Sequence, residues 1–317
     1  MQQRTTAKQK VEIVKQYLSG ENATNIAPNY GITNTAILGL LHRRNIKIRS
    51  QSQIQRKYSI DETFFDNIDT QEKAYFLGFL YADGYNNTNH NAVNLSLKEA
   101  DKEILIKLNN LLQPAKPLQF VNMESQRKQG IKASNQYRLV IANKHISNRL
   151  NELGCVQAKT YILEFPEWLN INLYPHFIRG YNDGDGYIGK RNISITSTDM
   201  FCNKLKYIFK NILNITSSIR IRHPGHNNNI CMLEISGGRQ CKKLLDWLYK
   251  DATIYLQRKY DSYISLLDKI KEIDSPRLCS IERCNEKHHG NGYCRKHYYQ
   301  FCNGKEKRHI RYITTGK

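Results

Sequence analysis

Two similar segments, far apart in the chain, constrain its fold more than any other feature. They are residues 76–84, FLGFLYADG, and residues 178–186, IRGYNDGDG. Each is mostly apolar, is too short to cross a membrane, and ends in an acid followed by glycine. This pattern predicts two buried helices, each of which presents one carboxylate at its C-terminal end.

Each segment also carries two small residues four positions apart, which share one helix face: Gly78 with Ala82, and Gly180 with Gly184. Small residues there let two helix backbones approach more closely than the usual separation of roughly 8–10 Å. Two such helices packed face to face bring Asp83 and Asp185 together at one end. The two carboxylates repel each other and lie at the negative ends of two helix dipoles, so a divalent cation is the natural compensation.

A single copy of the pattern is also typical of a core helix with a glycine C-cap. Two copies with the same Asp-Gly ending, each followed by matching segments, favour a duplicated site. The pair resembles the LAGLIDADG homing endonucleases in the single-chain form that carries the motif twice, and the resemblance covers roughly Gln71 to Ile270. The matching residues are Gly78, Ala82, Asp83 and Gly84 in the first motif, and Gly180, Asp183, Asp185 and Gly186 in the second.

The first motif departs from the family pattern at one position. Tyr81 replaces the first acid of the signature, whereas Asp183 keeps that acid in the second motif. In the family this acid is not the metal ligand, so the departure does little to the expected chemistry.

The resemblance implies a fold, an activity and a metal. The fold is α+β: a duplicated α-β-β-α-β-β-α core with pseudo-two-fold symmetry and curved antiparallel sheets. The activity is hydrolysis of both strands of a long, asymmetric duplex DNA target by a monomer. Mg²⁺ is held by Asp83 and Asp185 with the carbonyl groups of Ala82 and Gly184, an oxygen-only donor set.

The family also places a lysine near the scissile phosphate, just after the strand that follows the motif. Lys98 matches this position and is the predicted catalytic lysine, with a solvated residue before a helix as the alternative. The same register places Thr196 there in the second half, which leaves that site without a lysine unless Lys190 or Arg191 reaches it. Lys159 resembles another position that is commonly basic in the family.

Apolar periodicity after each motif predicts the same order of elements twice. The predicted strands are 93–97, 118–123, 137–141, 193–197, 219–223 and 231–236, and the helices are 99–112, 144–153, 199–213, 239–249 and 254–270. Alternation would turn one face of each sheet outward. Basic residues on or between these strands then form either a saddle for duplex DNA or ordinary solvated edges: Arg127, Lys128, Lys132, Arg138, Lys190, Arg191, Arg220, Arg222 and His223.

Composition agrees with a polyanionic partner. The 317 residues include 48 Lys and Arg against 28 Asp and Glu, a formal charge of +20, which favours nucleic acid over an anionic membrane surface. No run of about 18 apolar residues and no signal peptide is visible, so we expect no membrane partner. The eight cysteines suit a reducing compartment, the cytoplasm or nucleoid of a bacterial or phage-infected cell.

The N-terminal 50 residues predict a helix-turn-helix. Helices over 7–19, 23–30 and 34–43 surround a glycine turn at 31–33. The first helix would bury Val11, Ile13, Val14 and Leu18, and the remaining core would be Ile26, Ala27, Ile32, Ala36, Ile37, Leu40 and Leu41, with Leu38 outside. Asn34, Thr35, His42 and Arg43 would lie on the outer face. The short polar residues at the start of the third helix, Asn34 and Thr35, suit base edges, whereas Arg43, Arg44, Lys47 and Arg49 suit phosphates. The motif resembles the Hin- or resolvase-like group; the alternative is a small helical interaction module.

The C-terminal segment carries a metal-ligand pattern, Cys279-x4-Cys284-x9-Cys294-x2-His297. Three thiolates and one imidazole predict a closed structural Zn²⁺ site, and His288, His289 and Cys302 are rivals for the fourth position. The pattern resembles knuckles found beside phage and bacterial DNA-binding enzymes. Nearby cations would grip phosphates: Arg295, Lys296, Lys305, Lys307, Arg308 and Arg311. The alternative is unpaired cysteines in a disordered basic tail.

These features divide the chain into five parts: 1–50, the helix-turn-helix; 51–70, a linker; 71–165 and 166–272, the two motif repeats; and 273–317, the zinc knuckle and basic tail. One rival function is a DNA-binding regulator or RNA-splicing maturase that no longer cleaves, but both acids are present. Another is a transposase or recombinase, which would need a third acid or a nucleophilic Ser or Tyr at a recognisable spacing.

Overall fold

The computed structural model describes residues 5–54, 56–222, 229–274 and 278–302. The chain divides into two compact units, residues 1–60 and residues 61–317. His223 and the tail cations Lys305, Lys307, Arg308 and Arg311 lie outside the described residues.

The first unit contains the three predicted helices. Its elements are α1 (Ala7–Leu18), α2 (Ala23–Asn29), α3 (Asn34–Arg43) and the short α4 (Gln51–Ile54). Thr6 caps α1 in a reciprocal capping box with Gln9, and the Thr33 hydroxyl accepts from Ala36 N at 3.2 Å to cap α3. The core joins all three helices through Ile13, Ile26, Ile37 and Leu41, each fully buried.

Four apolar positions in this unit differ from the prediction. Val11 and Leu18 are 55% and 67% exposed, because α1 turns Ile13 and Tyr17 inward, four residues apart. Ala36 is exposed, and Leu38 is half-buried against the core. Tyr17 was missed because a tyrosine carries a polar group.

Arg49, which was predicted to contact phosphates, makes its contacts within the first unit. Its guanidinium lies 4.4 Å from the Tyr17 ring centroid and donates to Gly20 O at 2.7 Å. Its backbone N donates to the Tyr17 hydroxyl at 2.8 Å. These contacts satisfy carbonyls that follow α1, so Arg49 stabilises the fold of this unit.

The second unit consists of two halves that share the order α-β-β-α-β-β-α, with an additional short helix, Glu124–Lys128, in the first half and an additional helix, Gln257–Asp274, at the end of the second. The first half contains α5 (Gln71–Asp83), β1 (Gly84–Asn87), β2 (Ala92–Lys98), α6 (Lys102–Leu112), β3 (Gln119–Val121), α7 (Glu124–Lys128), β4 (Gln136–Ala142) and α8 (Lys144–Glu152). The second contains α9 (Tyr174–Asp185), β5 (Gly186–Ile188), β6 (Asn192–Thr198), α10 (Asp199–Leu213), β7 (Ser218–Ile221), β8 (Ile230–Ser236), α11 (Gly238–Tyr249) and α12 (Gln257–Asp274). After them come β9 (His288–Gly290), β10 (Tyr293–Cys294) and α13 (Arg295–Cys302).

Each half builds one antiparallel four-stranded sheet, in the orders β1-β2-β4-β3 and β5-β6-β8-β7. Burial alternates along the inner strands: Val93, Leu95 and Leu97 face the helices in β2, as do Ile193 and Ile195 in β6. The predicted α+β class and its antiparallel sheets are confirmed. Strands β1 and β5 were not placed individually by the sequence, because four and three residues are too few to display an alternating pattern.

Helices α5 and α9 pack backbone to backbone, as the small residues predicted. A Cβ added to Gly78 would overlap the Phe177 carbonyl, and one added to Gly180 would overlap the Tyr75 carbonyl. The two contacts are reciprocal, so the helices cross at the two glycines. Residues 74–81 of α5 are all buried, which makes this helix the centre of the unit.

The glycines that end the two motifs are not left-handed C-caps. Gly84 has φ −73° and Gly186 has φ −95°, and each begins a strand directly after its helix. A Cβ on Gly84 would lie 2.5 Å from Leu80 O, and one on Gly186 would overlap Asn182. Glycine is required here because the strand turns back closely over the last helical turn.

The predicted linker is shorter than expected. Phe64 and Phe65 are buried against Phe76, and Asp61 N donates to Leu112 O at 2.9 Å. Residues from 61 onward therefore belong to the second unit. Within the described ranges, every helix falls short of the length and apolarity that crossing a membrane requires.

The helix crossing makes a direct stability prediction. Gly180→Ala places a methyl group on the Tyr75 carbonyl of the facing backbone, so we expect it to lower the free energy of unfolding by about 3 kcal/mol or more. Urea unfolding followed by circular dichroism measures the change. Gly238→Ala is the matched control, because its Cβ would meet only Ile270 at 3.5 Å. Equal stability of the two variants would contradict the close crossing.

Candidate active site and metal-ligand cluster

The C-terminal ends of α5 and α9 meet and bring the predicted ligands together. A Cβ added to Gly184 would overlap the Ala82 methyl group and would lie 3.0 Å from Asp83 Oδ2. Asp83 and Asp185 are the last residues of the two helices. The structure thus brings the two carboxylates to one junction.

The surroundings of these carboxylates disfavour negative charge. Desolvation by neighbouring protein atoms, followed by the charge of Asp185, raises the pKa of Asp83 to about 6. Desolvation also raises the pKa of Asp185. The positive charges of Lys159 and Lys259 lower both pKa values. Arg258 also lowers the pKa of Asp83, and Arg222 also lowers the pKa of Asp185. The site therefore holds two acids that a bound cation would stabilise.

One lysine from each half lies against this junction at equivalent places. The Lys159 ammonium donates to the carbonyl of Gly84, and the Lys259 ammonium donates to the carbonyl of Gly186. Lys259 also reaches Asn182 O at 3.2 Å, and desolvation lowers its pKa to about 8. Because each glycine follows one acid, each carboxylate has an ammonium group beside it.

Sequence reasoning singled out Lys159 without a role and missed Lys259. The two lysines occur in dissimilar stretches, Ala158-Lys159-Thr160 and Arg258-Lys259-Tyr260. Each lies beyond the last helix that covers its half's sheet, α8 or α11. No similarity in sequence pairs the two lysines; only their place after corresponding helices relates them.

Lys98 lies elsewhere on the sheet. It is the exposed last residue of β2, where it pairs with Gln136. Gly84, which follows Asp83, pairs with Leu95, three positions earlier on the same strand. None of the contacts in the described part of the chain brings its ammonium to either carboxylate. Its catalytic role stays a prediction, and Lys159 and Lys259 have the stronger geometric claim.

The predicted register of Thr196 is wrong. Gly186 pairs with Ile195, as Gly84 pairs with Leu95, so Thr196 is the counterpart of Ser96 and Thr198 is the counterpart of Lys98. The cause is the two-residue period of the strand pattern: Ile193-Ser194-Ile195 matches Leu95-Ser96-Leu97 by residue type, but Ile195 is the counterpart of Leu95, so the match is two residues too early.

Two arginines donate to residues that are counterparts in the corrected register, although Arg138 lies on β4 and Arg222 follows β7. Arg138 Nε donates to Ser96 Oγ at 2.9 Å, and Arg222 Nη1 donates to Thr196 Oγ1 at 3.2 Å. Arg220 forms an ion pair with Glu234 at 3.2 Å. Lys190 and Arg191 are exposed in the turn between β5 and β6.

The other residues predicted to bind nucleic acid lie on both units. Arg127 donates to Asn135 Oδ1 at 3.0 Å, and Lys128 pairs with Glu124 at 2.9 Å. In the first unit the predicted contact residues are exposed on and just after α3: Asn34, Thr35, His42, Arg43 and Arg44.

The four predicted zinc ligands form one cluster whose ligand atoms all lie within 4.8 Å of one another. His297 Nδ1 is 3.2 Å from Cys279 Sγ and 3.4 Å from Cys294 Sγ, and Cys284 Sγ is 3.9 Å from Cys294 Sγ. A tetrahedral ion with metal–sulfur bonds of about 2.3 Å separates its sulfurs by about 3.8 Å. The cluster could therefore hold a metal ion of this kind.

The neighbours of this cluster favour His297 as the fourth ligand. His288 Nε2 accepts from Gly292 N at 3.0 Å, and the His289 ring lies edge-on to Tyr298 with centroids 5.2 Å apart. Burial raises the pKa of Cys279, but hydrogen bonds from the backbone of Ile281 and Cys294 outweigh it and lower that pKa to about 6. The Cys302 side chain lies outside the described atoms.

Comparison with known proteins assigns a domain type to the second half. Residues 173–248 match the model of the LAGLIDADG-like domain. This range spans α9 to α11, and the first half repeats its order of elements. No curated protein sequence matches the chain.

Several solved structures are similar. Full-length DUF199/WhiA from Thermatoga maritima is 16% identical with a TM-score of 0.41, over 66% of this chain and 65% of that one, slightly under two thirds of its length. The meganuclease I-SmaMI bound to uncleaveable DNA is 11% identical with a TM-score of 0.43, and the match covers 63% of this chain and 90% of that one. A variant of I-DmoI in complex with its target DNA is 16% identical with a TM-score of 0.40, and the match covers 58% of this chain and 97% of that one.

The raised pKa of Asp83 predicts a pH-dependent effect of Asp83→Asn. The carboxyl titrates near 3.8 when unfolded and near 6 when folded, so the folded state loses stability as pH rises from 4 to 6. The uncharged asparagine side chain does not titrate, so the variant does not lose stability over this pH range. After allowance for solvent screening, we expect a gain of about 1 kcal/mol at pH 7 and none at pH 3.

Thermal unfolding without added divalent cations measures this effect. Asp69→Asn is the control, because a hydrogen bond from Lys73 lowers the pKa of Asp69 and its loss brings no gain. A loss of stability for Asp83→Asn at pH 7 would show that the native site favours the charged carboxylate.

Proposed function

We propose that this protein is a site-specific DNA endonuclease of the LAGLIDADG homing type that hydrolyses both strands of a duplex. One observation carries the proposal. Two repeated halves each deliver an aspartate to a common junction, and each half adds a lysine on the carbonyl that follows its aspartate. Two similar catalytic sets related by pseudo-two-fold symmetry suit the two antiparallel strands of DNA, one set for each strand.

The donor set at this junction fits Mg²⁺. Asp83, Asp185 and the carbonyls of Ala82 and Gly184 offer hard oxygen ligands, and a divalent cation would stabilise the charged carboxylates, which desolvation disfavours at both positions. When bound, Mg²⁺ would activate water and stabilise the charge on the phosphate.

The remaining work falls to groups of the chain itself. Asp83 and Asp185 would hold the ion between the halves. Lys159 and Lys259 direct positive charge toward the same space, where it stabilises the extra negative charge of the pentavalent transition state.

The open faces of the two sheets are the proposed DNA-binding surface. Arg138, Arg220, Arg222, Lys190 and Arg191 supply positive charge there, in a chain with a net charge of +20. The halves differ in their open-face residues, for example Ser96 against Thr196, so a monomer would read an asymmetric target. Asn34, Thr35, His42, Arg43 and Arg44 of the first unit would extend the contacts as a helix-turn-helix.

Zn²⁺ is the proposed ion of the Cys₃His cluster. Three soft sulfur ligands exclude Mg²⁺, and four protein ligands leave no open position for catalysis. The ion would stabilise the fold of residues 278–302, on which Arg295 and Lys296 are exposed.

Cleavage of a library of randomised duplexes tests the proposed function and identifies the target. With Mg²⁺ the unaltered protein should produce staggered breaks, and Asp83→Asn or Asp185→Asn should abolish them or leave nicks, with rates at least about a hundredfold lower. Asp69→Asn, an exposed aspartate on another surface, is the control. Tight binding of DNA or structured RNA without cleavage in Mg²⁺ or Mn²⁺ would contradict the endonuclease and support a binding regulator or maturase.

Single-turnover cleavage of the identified target compares the candidate lysines. Lys159→Ala and Lys259→Ala should each slow mainly one strand, by about tenfold to a hundredfold. Lys98→Ala should leave both rates nearly unchanged. A larger loss for Lys98→Ala than for the other two would restore the sequence-based assignment.

Metal analysis tests the Cys₃His cluster. The purified protein should contain one Zn²⁺ per chain, and Cys284→Ala should lose it and unfold residues 278–302, which limited proteolysis would detect. His289→Ala is the control and should keep the ion. Retention of zinc by Cys284→Ala would exclude this ligand set.

A further inference from the structure

The position two residues before each junction aspartate differs between the motifs, yet the two side chains do the same thing. Tyr81 and Asp183 are equivalent residues of α5 and α9, with 2% and 0% of their surfaces exposed. Neither faces the phosphate site. Each makes a hydrogen bond to the backbone of the segment that carries its own half's lysine.

In the first half the bond comes from a phenol. The Tyr81 hydroxyl donates to the carbonyl of Leu153, at the end of α8. Gly154 has φ +98°, and a Cβ there would overlap this hydroxyl, so the chain leaves room for it. The segment then runs to Lys159, whose ammonium reaches Gly84 O.

Further bonds hold the same segment. Asn86 Nδ2 donates to Ser147 O at 2.9 Å and to Cys155 O at 3.0 Å, and Cys155 Sγ donates to Leu80 O at 3.5 Å. The path from Leu153 to Cys155 is thus attached to both α5 and β1.

In the second half the bond is accepted by a carboxyl group. Asp183 Oδ2 accepts from Leu256 N at 2.8 Å and from the Tyr75 hydroxyl at 2.7 Å. Leu256 lies just before α12, and Lys259 lies in the first turn of that helix.

A second side chain of α9 holds the preceding part of this segment. Arg179, one helical turn before Asp183 and fully buried, donates to Leu248 O at 2.5 Å and to Ile254 O at 3.0 Å. The equivalent residue in the first half is Leu77, which has no polar group. The two halves therefore fix their lysine segments by different chemistry from the same helix positions.

We propose that Tyr81 and Asp183 are positioning residues, which hold Lys159 and Lys259 on the motif carbonyls of their own halves. The inference rests on the proposed function for its catalytic consequence. It also explains why a tyrosine can replace an acid at this position: the backbone group offered is a carbonyl in one half and an N–H in the other. A donor is needed at position 81, and an acceptor at position 183.

Competitive lysine labelling tests the positioning without DNA. The full-length protein is treated briefly with trace acetic anhydride, and mass spectrometry measures labelling of Lys159 and Lys259 relative to exposed Lys190. Tyr81→Phe should raise labelling of Lys159 about threefold or more and leave Lys259 unchanged. Asp183→Leu should raise labelling of Lys259 by a similar factor and leave Lys159 unchanged.

Two further variants separate positioning from general loosening. Asp183→Asn should keep wild-type labelling, because one amide oxygen can accept both bonds that Oδ2 accepts. Tyr249→Phe removes a buried hydroxyl that has no hydrogen-bond partner in the described part of the chain, and it should change neither lysine. Unchanged Lys159 labelling in folded Tyr81→Phe, or equal increases at both lysines in either variant, would overturn the proposal.

Strand-resolved cleavage of the target then tests the catalytic consequence. Tyr81→Phe should slow the same strand as Lys159→Ala, by about fivefold to tenfold, the value of one buried hydrogen bond. Asp183→Leu should slow the strand that Lys259→Ala slows, and Asp183→Asn should restore its rate. Slowing of both strands alike would contradict positioning. If the unaltered protein cuts no DNA, the proposed function fails, and the labelling result still decides the positioning.

Discussion

The backbone crossing of α5 and α9 is the contact on which the rest of the second unit depends. Gly78 and Gly180 each lie against a carbonyl of the opposite helix, so the crossing fixes both the separation and the relative rotation of the two helices. Since Asp83 and Asp185 are the last residues of these helices, the crossing also fixes the distance between the carboxylates. A strand begins at the next residue on each side, so both sheets start from the same junction.

This arrangement concentrates charge that the protein alone balances incompletely. The helix ends contribute partial negative charge, and two carboxylates add to it. Desolvation, followed by the charge of Asp185, holds the pKa of Asp83 near 6 even though Lys159, Arg258 and Lys259 lower it. The crossing is held by apolar and backbone contacts rather than by these charges, so the fold can tolerate an electrostatically unfavourable site and leave it available for a cation and a phosphate.

The sequence predicted much of this architecture because its signals were local or repeated. Small residues four apart predicted the crossing, the Asp-Gly endings predicted the paired carboxylates, and the Cys and His spacing predicted which side chains cluster. The long amphipathic helices and the inner strands had the expected periodicity. Strands β1 and β5 were too short for such a signal, and Tyr17 rather than Leu18 is buried in the first core because it shares the inward face of α1 with Ile13.

The positions of the lysines near the junction could not be predicted from local sequence patterns. Lys98 was predicted because it follows the strand after the motif, where the family that the motifs resemble has a lysine. A lysine acts where its ammonium lies in space, and Lys159 and Lys259 reach the junction from segments beyond α8 and α11. The apolar alternation of β6 repeats every two residues, so it fits that of β2 in more than one register, and the sequence match of Thr196 with Lys98 was two residues too early. Duplication preserves the crossing, because any added atom there meets backbone. It leaves the lysine segments free to diverge, because a phenol donating to a carbonyl and a carboxylate accepting from an N–H can hold equivalent lysines equally well.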